Sequence, residues 1–391
     1  CIYLYSLILI LILMLISWSN LIVTGKSTYL LKEGVAKEVY EVKVSGEEER
    51  EFRRLVEEVV RRGIPCVDGW VQLNDFNISN EMAHILRKLG VLKDGSCEPV
   101  SKEDVFLAGA TLEVTPFCPF RCKHCLLPIE WRQKRSWMPL ETALRVINEI
   151  AGVVRFLGGA IALTGGEPSV LPRSYLKTLT DLVGSYGWEV MINTNGLNYK
   201  SLVNLGDHVY VKVSLYGCDE TSYKMFTGID AFKAVERTLR ELRDSGSTFS
   251  IDLIYTRSHS EAGYTVEQMV EFARKYTKYV RVRSAYYPGW SGDMKPTSQS
   301  VPITQEQLVR EEYFLRVNRL YRGLFGVSDP CATTFTLDAF VRHDGYVMTC
   351  PFFDGIVTHI ENPKWIEMFY VKERSAVRLP WRGGICNIHR F

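Results

Sequence analysis

Thr111-Leu-Glu-Val-Thr115 runs straight into Pro116-Phe-Cys118-Pro-Phe-Arg-Cys122-Lys-His-Cys125. The first five residues read as a short strand. The rest reads as a loop, because Pro116 and Pro119 each withhold a backbone donor and resist helix. Cys118, Cys122 and Cys125 lie within eight residues, and three thiolates so placed can ligate three irons of a cubane cluster while leaving the fourth iron open. A structural zinc site normally closes with four protein ligands and suits a lone triplet less well.

Downstream, strand and helix patterns alternate. Leu144, Val146, Ile147 and Ile150 carry helical spacing across Leu140–Gly152, and Ala160–Thr164 reads as a strand. A helix through Tyr175–Val183, strands at Glu189–Asn193 and Val209–Ser214, and a helix across Ala231–Leu242 follow. Then come a strand at Phe249–Tyr255, a helix across Val266–Tyr276 and a strand at Val280–Arg283, six strand–helix units in all. Apolar strands alternating with amphipathic helices predict an α/β fold around a parallel sheet. In such barrels the functional loops sit at the carboxyl ends of the strands.

Together with Thr164-Gly165-Gly166-Glu167-Pro168 at the second strand end, the cysteine triplet resembles the radical S-adenosylmethionine (radical SAM) superfamily. The resemblance implies a partial (β/α)6 TIM-type barrel over residues 108–290. It also implies a catalytic [4Fe–4S] cluster on Cys118, Cys122 and Cys125, whose open iron binds SAM. One electron then cleaves SAM to a 5′-deoxyadenosyl radical that abstracts a substrate hydrogen. By the same resemblance Gly165, Gly166 and Glu167 meet the methionine amino group, and Asn193, Asn195 and Ser214 meet ribose and carboxylate. His124 falls beside the adenine, or is a partly exposed loop histidine. The implied partners are a peptide, protein or cofactor-precursor substrate and an electron donor such as ferredoxin or flavodoxin. A haem-precursor (tetrapyrrole) substrate is an alternative. A non-catalytic iron–sulfur or zinc protein is another, which the Gly-Gly-Glu-Pro turn argues against.

A second cysteine group lies near the C-terminus. Cys331, Gly345 and Cys350 resemble the opening of the SPASM extension, and with Cys386 as the single later cysteine the pattern is nearer the shorter Twitch type. Residues 325–391 are thus expected as a SPASM/Twitch-like domain with an auxiliary [4Fe–4S] cluster on Cys331, Cys350 and Cys386, unless these are small buried hydrophobes. Asp344-Gly345 between apolar runs is a hairpin signal. Cys66, Cys97 and Cys218 are expected as separate thiols, and ten cysteines at such spacings point to a reducing compartment rather than a disulfide framework.

A formal net charge of +2 leaves no nucleic-acid footprint. Ile2–Val23 is almost wholly apolar and long enough to cross a bilayer, with Lys26 suited to a cytoplasmic flank. Residues 1–24 are therefore a possible membrane anchor of a cytoplasmic catalytic part. Residues 28–104 form a small α+β module, with a strand at Val39–Val44 and helices at Glu47–Arg62 and Glu81–Leu92. Phe52, Leu55, Val56 and Val59 are placed to face its core, opposite Glu51, Arg54, Glu57 and Arg61. It is either a leader-peptide grip or a scaffold.

Overall fold

The computed structural model describes residues 14–17, 21–23, 28–32, 38–41, 47–153, 160–288, 294–296, 338–350 and 353–375, except positions 69, 75, 89, 106, 108, 123, 124, 126, 128 and 285. The chain divides into two units, Cys1–Val105 with Gly355–Val377, and Phe106–Asp354 with Arg378–Phe391.

The first unit begins with strands β1 (Met14–Ser17), β2 (Leu21–Val23), β3 (Thr28–Lys32) and β4 (Glu38–Glu41), then helix α1 (Glu47–Arg62). Strands β5 (Ile64–Pro65) and β6 (Trp70–Leu73), helix α2 (Asn80–Lys88) and strand β7 (Leu92–Asp94) complete this stretch. β1 lies inside a sheet of order β5-β6-β1-β7, with Met14 and Ile16 buried, while β2, β3 and β4 pair antiparallel. The described part of the apolar run expected to span a bilayer is thus strand. Among the described residues no helix is long and apolar enough to cross a membrane. A short apolar run looks the same in a buried strand and a buried helix, so its sequence alone does not separate them.

Helix α1 starts acidic and ends on Arg61 and Arg62, the order that complements the helix dipole. It buries Phe52, Leu55, Val59 and Val60, and leaves Val56 half-buried where the sequence predicts a core position. Cys66 and Cys97, expected as separate thiols, are joined as a disulfide with Cα atoms 5.8 Å apart. The chain between them folds back so that Cys66 bridges Pro99 antiparallel and Val67 N donates to Glu98 O at 3.0 Å. A cross-link over a sequence separation of 31 is worth about 3–4 kcal/mol by chain entropy. Cys97→Ser should therefore lower the calorimetric unfolding midpoint, and reductant should lower the wild-type midpoint but not the variant's.

The second unit carries the predicted barrel. Its elements are β8 (Gly109–Thr115), α3 (Ile129–Arg132), α4 (Leu140–Ala151), β9 (Ala160–Gly165), α5 (Arg173–Ser185), β10 (Glu189–Thr194) and β11 (Val209–Leu215). They continue through α6 (Glu220–Thr227), α7 (Phe232–Asp244), β12 (Thr248–Tyr255), α8 (Arg257–Glu261), α9 (Val266–Arg274) and β13 (Val280–Ser284). After the small antiparallel pair β14 (Tyr286–Pro288) and β15 (Met294–Pro296) come β16 (Asp338–Val341) and β17 (Tyr346–Cys350). From β13 to β8 the strands are parallel neighbours in sequence order, as the repeat predicts. One face of this sheet is largely apolar. Leu112, Leu163, Ile192, Val211 and Phe249 form a buried row across five strands in register. The alternate face is polar, carrying Glu113, Thr164, Asn193, Lys212, Ser214, Ser250, Asp252 and Arg281, because successive side chains on a strand point to opposite faces.

The repeat count does not reveal one further strand. β16 adds to the free side of β8 in parallel, Ala339 opposite Ala110 and Val341 opposite Leu112, and turns through Asp344-Gly345 into antiparallel β17. Gly345 has φ 90°, the left-handed conformation for which the hairpin signal needs glycine. The chain then returns to the first unit as β18 (Phe353–His359), antiparallel to β2, and helix α10 (Trp365–Ser375). There Thr358 Oγ1 donates to Val60 O at 2.8 Å and Asn362 Nδ2 to Gly63 O at 3.0 Å, satisfying carbonyls at the end of α1. Of the stretch 325–391, the described β16 and β17 lie in the second unit and α10 in the first.

Candidate active site

The cysteine loop leaves β8 at its carboxyl end and is held from below by main chain. Thr115 Oγ1 donates to Ser136 O at 2.6 Å, Cys118 N to Arg132 O at 3.0 Å and Arg121 N to Thr227 O at 2.9 Å. Arg132 is buried, and its guanidinium donates to Phe120 O at 3.0 Å while its Nε has no hydrogen-bond partner. Cys122 is buried, and Cys118 and Cys125 are partly exposed. Burial, the nearby Glu167 carboxylate and Cys125 push the Cys118 thiol up to about 12. Burial and the other two cysteines likewise hold the Cys122 thiol well above the usual thiol range. Two thiols whose ionisation burial and their neighbours disfavour suit a site whose thiolates form only against a metal's positive charge. Among the described residues no group of three or more Cys, His, Asp or Glu side chains is placed to hold a metal ion.

The Gly-Gly-Glu-Pro turn ends β9 and is tied directly to this loop. Gly166 N donates to Thr115 O at 2.7 Å and Glu167 N to Phe117 O at 2.8 Å. Gly165 has φ 128°, and a Cβ there would collide with the Thr115 carbonyl; one on Gly166 would strike the carbonyls of Pro116 and Phe117. Glycine is required here by the approach of one loop's backbone to the other. Glu167 is fully buried. Its carboxylate accepts from Ser169 N at 2.9 Å, Asn195 N at 2.6 Å and Thr194 Oγ1, and burial raises its pKa against the pull of those donors. Glu167 therefore ties the end of β9 to the end of β10. Asn195 completes the link, its Nδ2 donating to Cys118 Sγ at 3.6 Å.

On β10 and β11 the expected residues share the polar face. Asn193 Oδ1 is buried without a hydrogen-bond partner, which fits a group awaiting a ligand. The Ser214 hydroxyl bonds to the Tyr216 side chain, whose phenol is held well above its usual range by burial and by Cys122. His259 Nε2 lies 2.7 Å from Tyr216 O, so that nitrogen donates and Nδ1 accepts from Thr256 N at 3.1 Å. The sequence reading missed Tyr216, Tyr223 and His259. Tyr223 and Phe226, three apart on α6, carry the one local signal. Phe120 meets Tyr223 edge-on at 6.1 Å, and Tyr216 stacks on Phe226 at 5.6 Å beside the cysteines.

It also missed a pair on neighbouring strands whose residues are 230 apart in sequence. His343 Nδ1, in the β16–β17 turn, lies 2.5 Å from Glu113 Oε1 on β8. The Arg342 guanidinium sits 4.2 Å over the Trp131 ring, against which His343 also packs. Further along the polar face Arg281 donates to both oxygens of Asp252, at 2.9 and 2.5 Å, with Lys212 Nζ at 3.9 Å. A barrel that only packs on itself fills this face with Val, Ile and Leu. A polar lining suits a face that receives ligands.

Of the residues proposed from sequence, Cys118, Glu167, Gly166 and Asn195 are brought into direct contact through the two loops. Cys350 closes β17. His124, Cys331 and Cys386 lie outside the described residues.

Residues 112–269 match the Radical SAM superfamily. A probable GTP 3′,8-cyclase of Pyrobaculum aerophilum is 24% identical over 264 residues, 61% of this chain and 82% of that protein. The PqqA peptide cyclase of Methylorubrum extorquens strain PA1 is 26% identical over 192 residues, 47% of each. The chain thus spans about half the length of that relative. Among solved structures, native anSMEcpe with bound AdoMet shares the fold with a TM-score of 0.52 at 17% identity, covering 68% of this chain and 83% of that one. The cysteine loop, the Gly-Gly-Glu-Pro turn locked against it and the parallel sheet beneath thus lie in a radical SAM domain, matched over residues 112–269, and the chain is an enzyme of the radical SAM type.

Proposed function

We propose that the chain reductively cleaves SAM at a [4Fe–4S] cluster held by Cys118, Cys122 and Cys125 and abstracts a hydrogen atom from a peptide or protein substrate. The observation that carries this reading is the interlock of the two loops, in which Gly166 and Glu167 donate to the backbone on either side of Pro116 while Asn195 reaches Cys118 Sγ. When bound, the cluster supplies one electron to SAM, and the resulting 5′-deoxyadenosyl group takes the substrate hydrogen. The protein's part is to hold the loop and exclude water. Arg132 offsets thiolate charge from beneath, and Phe120, Tyr216, Tyr223 and Phe226 wall off the cysteines. Glu167 fixes the strand ends, and Gly165, Gly166, Glu167, Asn193, Asn195 and Ser214 are the residues proposed to meet SAM. His124 and an auxiliary cluster on Cys331, Cys350 and Cys386 remain part of the proposal.

The similarity to a PqqA peptide cyclase supports a peptide substrate. The longer match to a GTP 3′,8-cyclase supports a second reading, a nucleotide cofactor precursor. Anaerobic iron and sulfide quantitation, with dithionite-dependent formation of 5′-deoxyadenosine, tests the chemistry. About eight irons with cleavage are expected if the auxiliary cluster is present, and about four confine the metal to the N-terminal triplet. Iron without cleavage would sink the reading. Acceleration of cleavage by candidate peptides, but not by GTP, decides the substrate class.

A further inference from the structure

Turn residues ordinarily face solvent, but the turn between β16 and β17 is largely buried. The ladder of β16 on β8 ends with Val341 opposite Leu112, and beyond it the two segments meet through side chains. Arg342 is buried, and the His343 side chain is 11% exposed. His343 Nδ1 reaches Glu113 Oε1 at 2.5 Å, and Glu113 is itself buried. Glu113 stands just ahead of the cysteine loop and packs under the Gly-Gly-Glu-Pro turn, where a Cβ on Gly165 would come within 2.9 Å of Glu113 Cγ. Trp131 stands just past the loop, on α3. Its ring carries the Arg342 guanidinium at 4.2 Å and meets His343 edge-on at 6.1 Å. Next to it, Arg132 O accepts from Cys118 N at 3.0 Å, and the Arg132 guanidinium donates to Phe120 O at 3.0 Å. One turn from far down the chain therefore touches both the strand that enters the loop and the helix that leaves it.

We propose that His343 and Arg342 are positioning residues for the cluster, clasping both stems of the cysteine loop so that its thiols are in place when iron binds. The inference rests on the reading above, in which Cys118, Cys122 and Cys125 hold that cluster. The loop has little means of bracing itself. Pro116 and Pro119 lack backbone donors, and inside the triplet Cys125 N donates to Cys122 O at 3.2 Å. Its order thus depends on its stems. The stems are tied to each other by Thr115 Oγ1 to Ser136 O and Met138 N to Val114 O, and the turn adds a third tie from outside them. The hydrogen bond from imidazole to a buried carboxylate fixes a direction, and the guanidinium over the indole adds attraction across a broad face. Partners one step removed from the ligands orient metal sites in this way.

The test begins on the apo chain, which makes it independent of the cluster. Amide hydrogen exchange, read by mass spectrometry, should be at least ~10-fold faster across 116–138 in His343→Ala than in the wild type, with β11 and β12 unchanged. His343→Asn, whose amide stands where Nδ1 stands, should regain most of the protection. Arg342→Gln leaves the His343–Glu113 contact in place and should loosen the same segment, and it decides the matter if His343→Ala does not fold. After reconstitution, a chelator should strip iron ~10–100-fold faster from His343→Ala, and at nearly the wild-type rate from His343→Asn. Unchanged exchange across 116–138 would overturn the proposal. So would a rise shared equally by β11 and β12, since the turn would then brace the barrel in general. Wild-type chain that takes up no iron would count against the cluster assignment instead, and the exchange data would still report on the clasp.

Discussion

Cys122→Ala should yield a folded protein that no longer cleaves SAM under dithionite. Cys122 is buried in the loop, and alanine is small enough to occupy its place without displacing Phe120 or Tyr216. On the proposed function the deleted atom is one corner ligand of the cluster. The loss should exceed ~100-fold, the upper end of what losing an outer-shell partner costs a metal site, and bound iron should fall with it. Chromatographic assay of 5′-deoxyadenosine alongside iron quantitation reads both. Cys218→Ser, which alters a partly exposed thiol on the loop after β11, is the matched control and should keep cleavage and iron. Retained cleavage in Cys122→Ala would remove the triplet from the chemistry.

Glu167→Gln should damage fold and site together although the two side chains have the same shape. Three donors converge on the carboxylate. Two reach one oxygen, so an amide placing its oxygen there points its NH2 at Asn195 N–H, donor against donor. A buried donor left unpaired costs about 1–3 kcal/mol, and the broken link is the one that positions Asn195 beside Cys118. The unfolding midpoint should drop by several degrees, at ~2–4 °C per kcal/mol in a large domain, and SAM cleavage by ~10–100-fold. A wild-type midpoint with lost cleavage would instead make Glu167 a pure ligand contact. Wild-type values of both would show that its three hydrogen bonds are dispensable.

Signals confined to a few neighbouring residues were legible. Strand–helix alternation from Thr111 to Arg283 predicted six parallel strands in order, because apolar periodicity is set locally by which face must be buried. Asp344-Gly345 read correctly as a hairpin, whereas the close approach of Gly165 and Gly166 to the carbonyls of residues 115–117 was not foreseen from the sequence.

What the sequence by itself determined, then, is the repeat, its direction and the position of the thiol loop at a strand end. Only the tertiary structure decided that Met14–Ser17 is a strand within a sheet, that Cys66 meets Cys97, and that β16 joins β8 to bring His343 against Glu113. It also decided that Glu167 accepts from the backbone at the neighbouring strand end. The physical reason is the same in each case. Periodicity and turn chemistry act within one or two elements. Which strand edges pair, and which buried polar atoms then find partners, depends on the burial and hydrogen bonding of the assembled core, where residues far apart in the chain become neighbours.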